Sequence, residues 1–134
     1  MAARVLIIED NKANLELVEY LFKASGYTTL AARDGEQGVG TARKEHPDLI
    51  ICDLQMPIMD GYEVVRELKK DPLLRSIPVV AVTALSMPGD RINVLAAGFD
   101  GYLSKPIDPE TFVRTIEGFL PPGLRGWRPP PGDS

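Results

Sequence analysis

Cysteine and histidine are almost missing from this sequence, and their scarcity excludes several kinds of site. Cys52 is the only cysteine among 134 residues and His46 the only histidine. One cysteine allows neither an intramolecular disulfide nor a cysteine-rich metal centre, and it fits a reducing compartment. Cys52 lies inside an apolar run and is interpreted as a packing residue. His46 lies in a Glu45-His46-Pro47 turn, so no histidine base is paired with a serine or cysteine nucleophile.

Long hydrophobic runs and blocks of like charge are also missing. No apolar stretch approaches the length of about 20 residues that a membrane-spanning helix needs. Because the first four residues lead directly into a strand pattern, we expect no signal peptide. We therefore expect a cytoplasmic protein that does not bind membranes. The net charge of −4 and the pI of about 5.0 argue against nucleic acid, whose binders usually carry a basic patch.

What the sequence does contain is a series of apolar runs, each followed by a polar residue. Residues 5–8, 49–52 and 79–82 are continuous apolar runs, which are typical of strands buried on both faces of a parallel sheet. Residues 102–104 form a fourth, shorter run. The polar residues that follow these runs are Glu9, Asp10, Asp53, Thr83 and Lys105.

Helical patterns alternate with the predicted strands. They cover approximately residues 11–25, 34–45, 61–70, 87–98 and 108–119. Five successive βα units predict an α/β fold, a doubly wound five-stranded parallel sheet with five helices. For five strands we expect the flavodoxin-like strand order 2-1-3-4-5. Residues 27–32 form the most polar strand, so we expect it at an edge.

Three finer expectations concern the helices and the chain end. Gly38 and Gly40 should make the second helix the softest, since each costs about 1 kcal/mol relative to alanine. Three residues of the fourth helix are expected to face the core: Ile92, Leu95 and Ala96. The domain is predicted to cover residues 1–119. Residues 120–134 hold five of the twelve prolines and are predicted to form an extended or mobile tail that includes Trp127.

The predicted strand order brings several polar residues to one edge of the sheet. Strands 1 and 3 are neighbours in this order, so Glu9, Asp10 and Asp53 should converge. Three clustered carboxylates need a compensating cation, and oxygen ligands favour a hard divalent ion, for which Mg²⁺ is the best candidate. Thr83 and Lys105 would add the hydroxyl and ammonium that suit a phosphoryl group. The nucleophile is therefore expected to be a carboxylate, with Asp53 at the centre.

Five fragments, in order, make the chain resemble the receiver domains of two-component response regulators, in particular the single-domain chemotaxis type. The resemblance covers about residues 4–119. Its fragments are Glu9-Asp10-Asn11, Asp53 with Met56-Pro57, Asp60-Gly61, Thr83-Ala84 and Tyr102-Leu103-Ser104-Lys105-Pro106.

The resemblance assigns a role to each site residue. It implies that Asp53 accepts a phosphoryl group and that Thr83 and Lys105 hold the phosphoryl oxygens. It implies that Mg²⁺ binds to Asp10, Asp53 and the backbone carbonyl of Gln55, with Glu9 acting through water. It further implies that Tyr102 turns inward when Thr83 moves, and that the Lys105–Pro106 bond is cis.

The function implied by the resemblance is a phosphorylation-dependent switch with no output domain of its own. The donor would be a phosphohistidine on a histidine kinase or a histidine phosphotransfer protein. It would dock near the first helix, at Asn14, Leu15 and Val18, and near Pro106. The signal would pass to a downstream protein through the last two helices and the last strand, a surface predicted to include Arg91, Val94, Leu95, Tyr102 and Lys105. We expect a monomer or a weak dimer that catalyses only its own phosphorylation and dephosphorylation.

Three alternatives stay open at this point. The chain could be a receiver domain excised from a hybrid histidine kinase. It could be a phosphatase of the haloacid-dehalogenase type, but those enzymes need a second aspartate two residues after the nucleophile, where Gln55 stands. It could also be a receiver-like module that is never phosphorylated, against which the intact set of Asp10, Asp53, Thr83 and Lys105 argues.

Overall fold

Strands and helices alternate throughout residues 3–84 and 89–124, which are the residues that the computed structural model describes. The elements are, in chain order, β1 (Arg4–Ile8), α1 (Lys12–Ala24), β2 (Thr28–Ala32), α2 (Gly35–Glu45), β3 (Leu49–Cys52), α3 (Gly61–Lys70), β4 (Val79–Thr83), α4 (Asp90–Ala97), β5 (Gly101–Ser104), α5 (Phe112–Glu117) and a 3₁₀ helix (Pro122–Leu124). In this part of the chain, no helix has both the length and the apolar character that a membrane span requires.

All five strands are parallel and form one sheet in the order β2-β1-β3-β4-β5. The predicted order and the predicted edge position of β2 are therefore confirmed. Ile8 pairs with Cys52 and Thr83 pairs with Ser104, so the strands end nearly level with one another. As a result, the residues that follow the strands meet along one edge of the sheet.

Each face of the sheet is covered by helices over its own core cluster. Leu6 and Ile8 point into a cluster that includes residues of α2, α3 and α4. Val5 and Ile7 point to the opposite face, into a cluster with residues of α1 and α5. This alternation within β1 is expected for a strand with helices on both sides, because successive side chains point to opposite faces.

The helix beginnings follow the sequence signals closely. Asn11, Asp34 and Asp60 cap α1, α2 and α3, and each accepts a hydrogen bond from a backbone amide three residues later. Gly38 has a packing role in α2, since a Cβ placed there would lie 2.4 Å from Cδ1 of Ile8. Gly38 therefore lowers the helix propensity of α2, but it also allows α2 to pack closely against β1.

The predicted inward face of α4 is wrong. Ile92 is 72% exposed and Leu95 is 41% exposed, and Ala96 is exposed as well, whereas Val94 is fully buried. Residues two apart on a helix lie on nearly opposite sides, so a buried Val94 directs Ile92 outward. With eight residues, α4 contacts the core through a single side.

The last helix and the chain end also differ from the prediction. α5 begins at Phe112, and Asp108 instead closes the turn before it, where its Oδ1 atom accepts a 3.0 Å hydrogen bond from the amide of Glu110. The predicted tail does not begin at residue 120, because Leu120 is buried and Leu124 packs against the cluster on the α1–α5 face. The predictions for residues 85–88 and 125–134, Trp127 among them, fall outside the described residues.

Candidate functional site

Three carboxylates meet at the edge where the strands end. Glu9 and Asp10 follow β1 and Asp53 follows β3, and one oxygen from each lies within 4.8 Å of the others. Glu9 is 5% exposed and Asp53 is 7% exposed, while Asp10 is partly exposed. Like charges this close, with two of them buried, repel one another unless a cation or a proton offsets them.

Lys105 brings a positive charge into this cluster. Its Nζ atom donates a 2.7 Å hydrogen bond to Oε1 of Glu9 and a 3.2 Å hydrogen bond to Oδ2 of Asp53. The backbone amide of Lys105 donates to the carbonyl oxygen of Thr83 at 2.8 Å, which holds the lysine beside the end of β4. The Lys105–Pro106 bond is cis, as predicted.

The ion pair and the burial alter the acidity of the groups involved. Burial raises the pKa of Glu9 to about 7, with a further increase from Asp53, although the hydrogen bond from Lys105 opposes both. Burial alone would lower the pKa of Lys105, but its interactions with Glu9 and Asp53 outweigh this effect and raise the pKa. Lys105 therefore stays charged near neutral pH, and Glu9 titrates there.

Backbone hydrogen bonds hold the acidic residues in place. The amide of Glu9 donates to the carbonyl oxygen of Ala32, and the amide of Asp53 donates to that of Ile8, each at 3.0 Å. The amide of Gln55 donates to Oδ1 of Asp53 at 3.3 Å. The structure thus places the amide of the exposed Gln55 beside Asp53, and the metal-binding role predicted for the carbonyl of Gln55 stays a prediction.

The loop from Asp53 to α3 is tightly constrained at both ends. A Cβ at Gly61 would lie 2.5 Å from the carbonyl oxygen of Asp53, so this close approach requires glycine. Within the loop, Ile58 has a φ of 71°, and the amide of Met59 donates to the carbonyl oxygen of Pro57 at 2.8 Å. This three-residue turn with a positive φ is rare and strained, especially for a β-branched residue. The residue types of this loop give no signal for the turn.

Thr83 and Tyr102 lie on neighbouring strands and on the same face of the sheet. Thr83 is fully buried at the end of β4, and Tyr102 pairs with Ala81, two residues earlier on that strand. Tyr102 is partly buried and packs against the core cluster on the face of α2, α3 and α4. The two predicted switch residues are therefore close in position, and the motion predicted for them stays a prediction.

The predicted docking residues are only partly accessible. Val94, Leu15 and Val18 are buried in the core, so these three are not on a protein surface. Their helical spacing reflects packing against the sheet. The residues of the two predicted surfaces that keep exposed area are Asn14 and Pro106 near the site, Arg91, Leu95 and Tyr102 on the side of α4 and β5, and Lys105, whose side chain is 16% exposed.

One residue at this edge was not anticipated. Arg33 directly follows β2, and its Nη2 atom donates a 3.1 Å hydrogen bond to the backbone carbonyl oxygen of Asp10. Its side chain is exposed. The strand order could have indicated it, because the residue after β2 lies at the same edge as those after β1 and β3.

Comparisons with known proteins agree with this geometry. Residues 5–117 match the sequence model of a family described as "Response regulator receiver domain". Among curated proteins, the chain is 45% identical over 120 residues to the polar-differentiation response regulator DivK of Brucella ovis, and the alignment covers 90% of this chain and 98% of DivK.

Solved structures give the same result. The chemotaxis protein CheY4 of Vibrio cholerae is 30% identical, with a TM-score of 0.84 over 90% of this chain and 100% of that one. The receiver domain of a Pseudomonas aeruginosa sensor histidine kinase is 33% identical, with a TM-score of 0.81 over 89% of this chain and 98% of the domain. That domain was solved with a magnesium ion coordinated in its active-site cleft.

Proposed function

Because the chain belongs to the response regulator receiver domain family of two-component signalling proteins, we propose that it is a switch set by phosphorylation of Asp53. The observation that carries this proposal is the position of Asp53, a buried carboxylate between two other carboxylates and the ammonium of Lys105. A buried carboxylate beside an ammonium and a carboxylate cluster is suited to accept a phosphoryl group from an activated donor.

The transfer would replace one bond to phosphorus with another. A carboxylate oxygen of Asp53 attacks the phosphorus of a phosphohistidine, and a P–O bond forms while the P–N bond breaks. The electron pair of the P–N bond returns to the imidazole nitrogen of the donor. Lys105, already 3.2 Å from Oδ2 of Asp53, then pairs with an oxygen of the transferred group.

The acidic cluster fits a divalent metal ion. Its donor atoms are all oxygens, they lie within 4.8 Å of one another, and together they carry more negative charge than Lys105 offsets. Asp10, Asp53 and the backbone carbonyl of Gln55 would hold Mg²⁺, with Glu9 acting through water. When bound, Mg²⁺ neutralises charge on the carboxylates and on the incoming phosphoryl oxygens.

Phosphorylation would be transmitted through Thr83 and Tyr102. The hydroxyl of Thr83 can donate to a phosphoryl oxygen on Asp53, and a shift of Thr83 toward it leaves space on the shared face of the sheet. Tyr102, two residues back in register on β5, would move into that space. The exposed surface of α4 and β5, which includes Ile92 and Leu95, would then differ between the two states.

Partners are proposed from the accessible residues. The donor, a histidine kinase or a histidine phosphotransfer protein, would dock at the rim of the site near Asn14, Ile58 and Pro106. Ile58 is suited to such a contact because it is an apolar side chain that is 79% exposed. A downstream protein would bind the side of α4, β5 and α5.

Phosphorylation and signalling would take place in the cytoplasm. The protein would not catalyse the hydrolysis of other phosphate esters.

Incubation with a small acyl phosphate and Mg²⁺ tests the proposal. Intact-mass spectrometry should detect one added phosphoryl group on the wild type and none on Asp53→Asn. Asp60→Asn is the matched control, because Asp60 is a nearby carboxylate that caps α3 and asparagine caps equally well. Undiminished labelling of Asp53→Asn would overturn the proposal, and rapid turnover of generic phosphomonoesters would indicate an enzyme instead.

A further inference from the structure

The acidic cluster has a cation on each side along the sheet edge. Lys105 follows β5, on one side, and is largely buried in its ion pairs with Glu9 and Asp53. Arg33 follows β2, on the opposite side, and is exposed. Lys105 is therefore paired with the carboxylates, whereas Arg33 is exposed to solvent beside them.

Hydrogen bonds of both its backbone and its side chain hold Arg33 in this position. Its backbone amide donates to Oε1 of Gln37 at 3.0 Å, which fixes the corner between β2 and α2. Its guanidinium donates to the carbonyl oxygen of Asp10 at 3.1 Å. Asp10 is one of the three clustered carboxylates, so the guanidinium of Arg33 contacts the backbone of a residue of the cluster.

We propose that Arg33 is the residue that steers anionic phosphodonors to Asp53, and that its charge weakens Mg²⁺ binding in the same site. This inference rests on the proposed function. An exposed cation at the rim of a cleft raises the local concentration of anions, and this effect falls with ionic strength. The same charge repels a divalent cation that binds to Asp10.

The expected effects follow from charge and distance. At a separation of about 8 Å, one Debye length at physiological salt, a guanidinium in water-like surroundings changes the affinity for a divalent ion about twofold at physiological salt and about fourfold at low salt. A dianionic donor carries a charge of equal size and opposite sign, so its capture should change by a similar factor in the opposite direction. Removing the Arg33 charge should therefore strengthen Mg²⁺ binding and slow donor capture.

Arg33→Gln tests both effects against two other variants. Arg33→Lys keeps the charge and loses the forked donor group. Arg43→Gln removes the same charge from the far end of α2, where Arg43 lies near Glu67 and Asp71. Calorimetry without any donor measures Mg²⁺ affinity, and the rate of labelling by a small acyl phosphate at saturating Mg²⁺ measures donor capture.

We expect Arg33→Gln at low salt to bind Mg²⁺ about fourfold more tightly and to be labelled about fourfold more slowly, with both differences shrinking as salt is added. Arg33→Lys and Arg43→Gln should behave like the wild type. If either measurement is unchanged in Arg33→Gln, or if Arg33→Lys changes as much as Arg33→Gln, the proposal is overturned. Failure of the wild type to be labelled would instead contradict the proposed function, while the Mg²⁺ titration would still test the charge of Arg33.

Discussion

Lys105 and Glu9 form a 2.7 Å ion pair that links the end of β5 to the end of β1 across the sheet edge. Glu9 follows β1 and Lys105 precedes the turn after β5, and β3 and β4 lie between these strands. The side chains of both residues are largely buried, at 7% and 16% exposure. In the absence of a metal ion, and among the residues that the structure describes, Lys105 is therefore the cation that allows Glu9 and Asp53 to be buried side by side.

Replacing Lys105 by methionine should destabilise the metal-free protein by about 3 kcal/mol, because removing one partner of a buried pair leaves uncompensated charge. Urea unfolding in the presence of a chelator measures this loss. Lys12→Met is the control, since the ion pair of Lys12 with Glu16 is exposed and should contribute about 0.5 kcal/mol or less. Equal losses in the two variants would contradict the importance of the buried pair.

The raised pKa of Glu9 predicts a pH dependence of the metal-free protein. The pKa of Glu9 is raised from 4.5, the ordinary value that applies to the unfolded chain, to about 7 in the folded protein. The native state therefore binds a proton at Glu9 more tightly than the unfolded state does. The stability that Glu9 contributes is complete below about pH 4.5 and is lost as the pH rises toward 7. Relative to Glu9→Gln, the wild type should lose about 2–3 kcal/mol across this interval.

Chemical unfolding at several pH values, with a chelator present, measures this difference. Glu36→Gln is the control because Glu36 is an exposed acidic residue in the first turn of α2. Parallel stability curves for the wild type and Glu9→Gln would show that Glu9 does not titrate in this interval.

Asp10→Asn should raise the thermal midpoint of the metal-free protein, because it removes one of three mutually repelling carboxylates. The same variant should lose the stabilisation that millimolar Mg²⁺ gives to the wild type by mass action. Thermal unfolding with and without Mg²⁺ measures both effects. A wild type whose midpoint does not respond to millimolar Mg²⁺ would rule out the shared metal site.

Ile58→Gly should stabilise the protein, by about 0.5–1 kcal/mol, because glycine adopts a positive φ without strain and the exposed isoleucine loses little packing. Ile92→Gly is the matched control. Ile92 is similarly exposed but lies in the first turn of α4, where replacing isoleucine by glycine should cost about 0.5 kcal/mol. If both variants are destabilised equally, the turn at Ile58 stores no strain.

Thr83→Ala should still accept a phosphoryl group on Asp53 but transmit it poorly, because the phosphorylated state loses a contact that distinguishes it from the resting state. NMR chemical shifts around Tyr102, before and after phosphorylation, measure the response. Shifts as large as those of the wild type would mean that coupling does not pass through the hydroxyl of Thr83.

The sheet and the central site could be predicted because a single feature specifies both. Apolar strands that end in polar residues define the parallel sheet, and the strand order then brings Glu9, Asp53 and Lys105 together. The strand order alone was sufficient to predict that these residues meet, since the carboxyl ends of parallel strands share an edge of the sheet.

The buried face of α4 could not be predicted, because this short helix has apolar residues on several sides and their spacing fits more than one buried face. Val94 is buried while Ile92 and Leu95 are exposed, and the sequence pattern allowed either arrangement. The strained turn at Ile58 depends on loop geometry, for which these residue types give no signal. The strand order places Arg33 at the same edge of the sheet, but its hydrogen bond to Asp10 depends on the side-chain conformation.

The most direct test of the account is the position of the phosphoryl group itself. After incubation with a small acyl phosphate and Mg²⁺, borohydride reduction of the acyl phosphate and peptide mass spectrometry identify the modified residue. We predict modification at Asp53 alone, abolished in Asp53→Asn and retained in Asp60→Asn. Modification of another residue in the wild type, with Asp53 unmodified, would contradict the account.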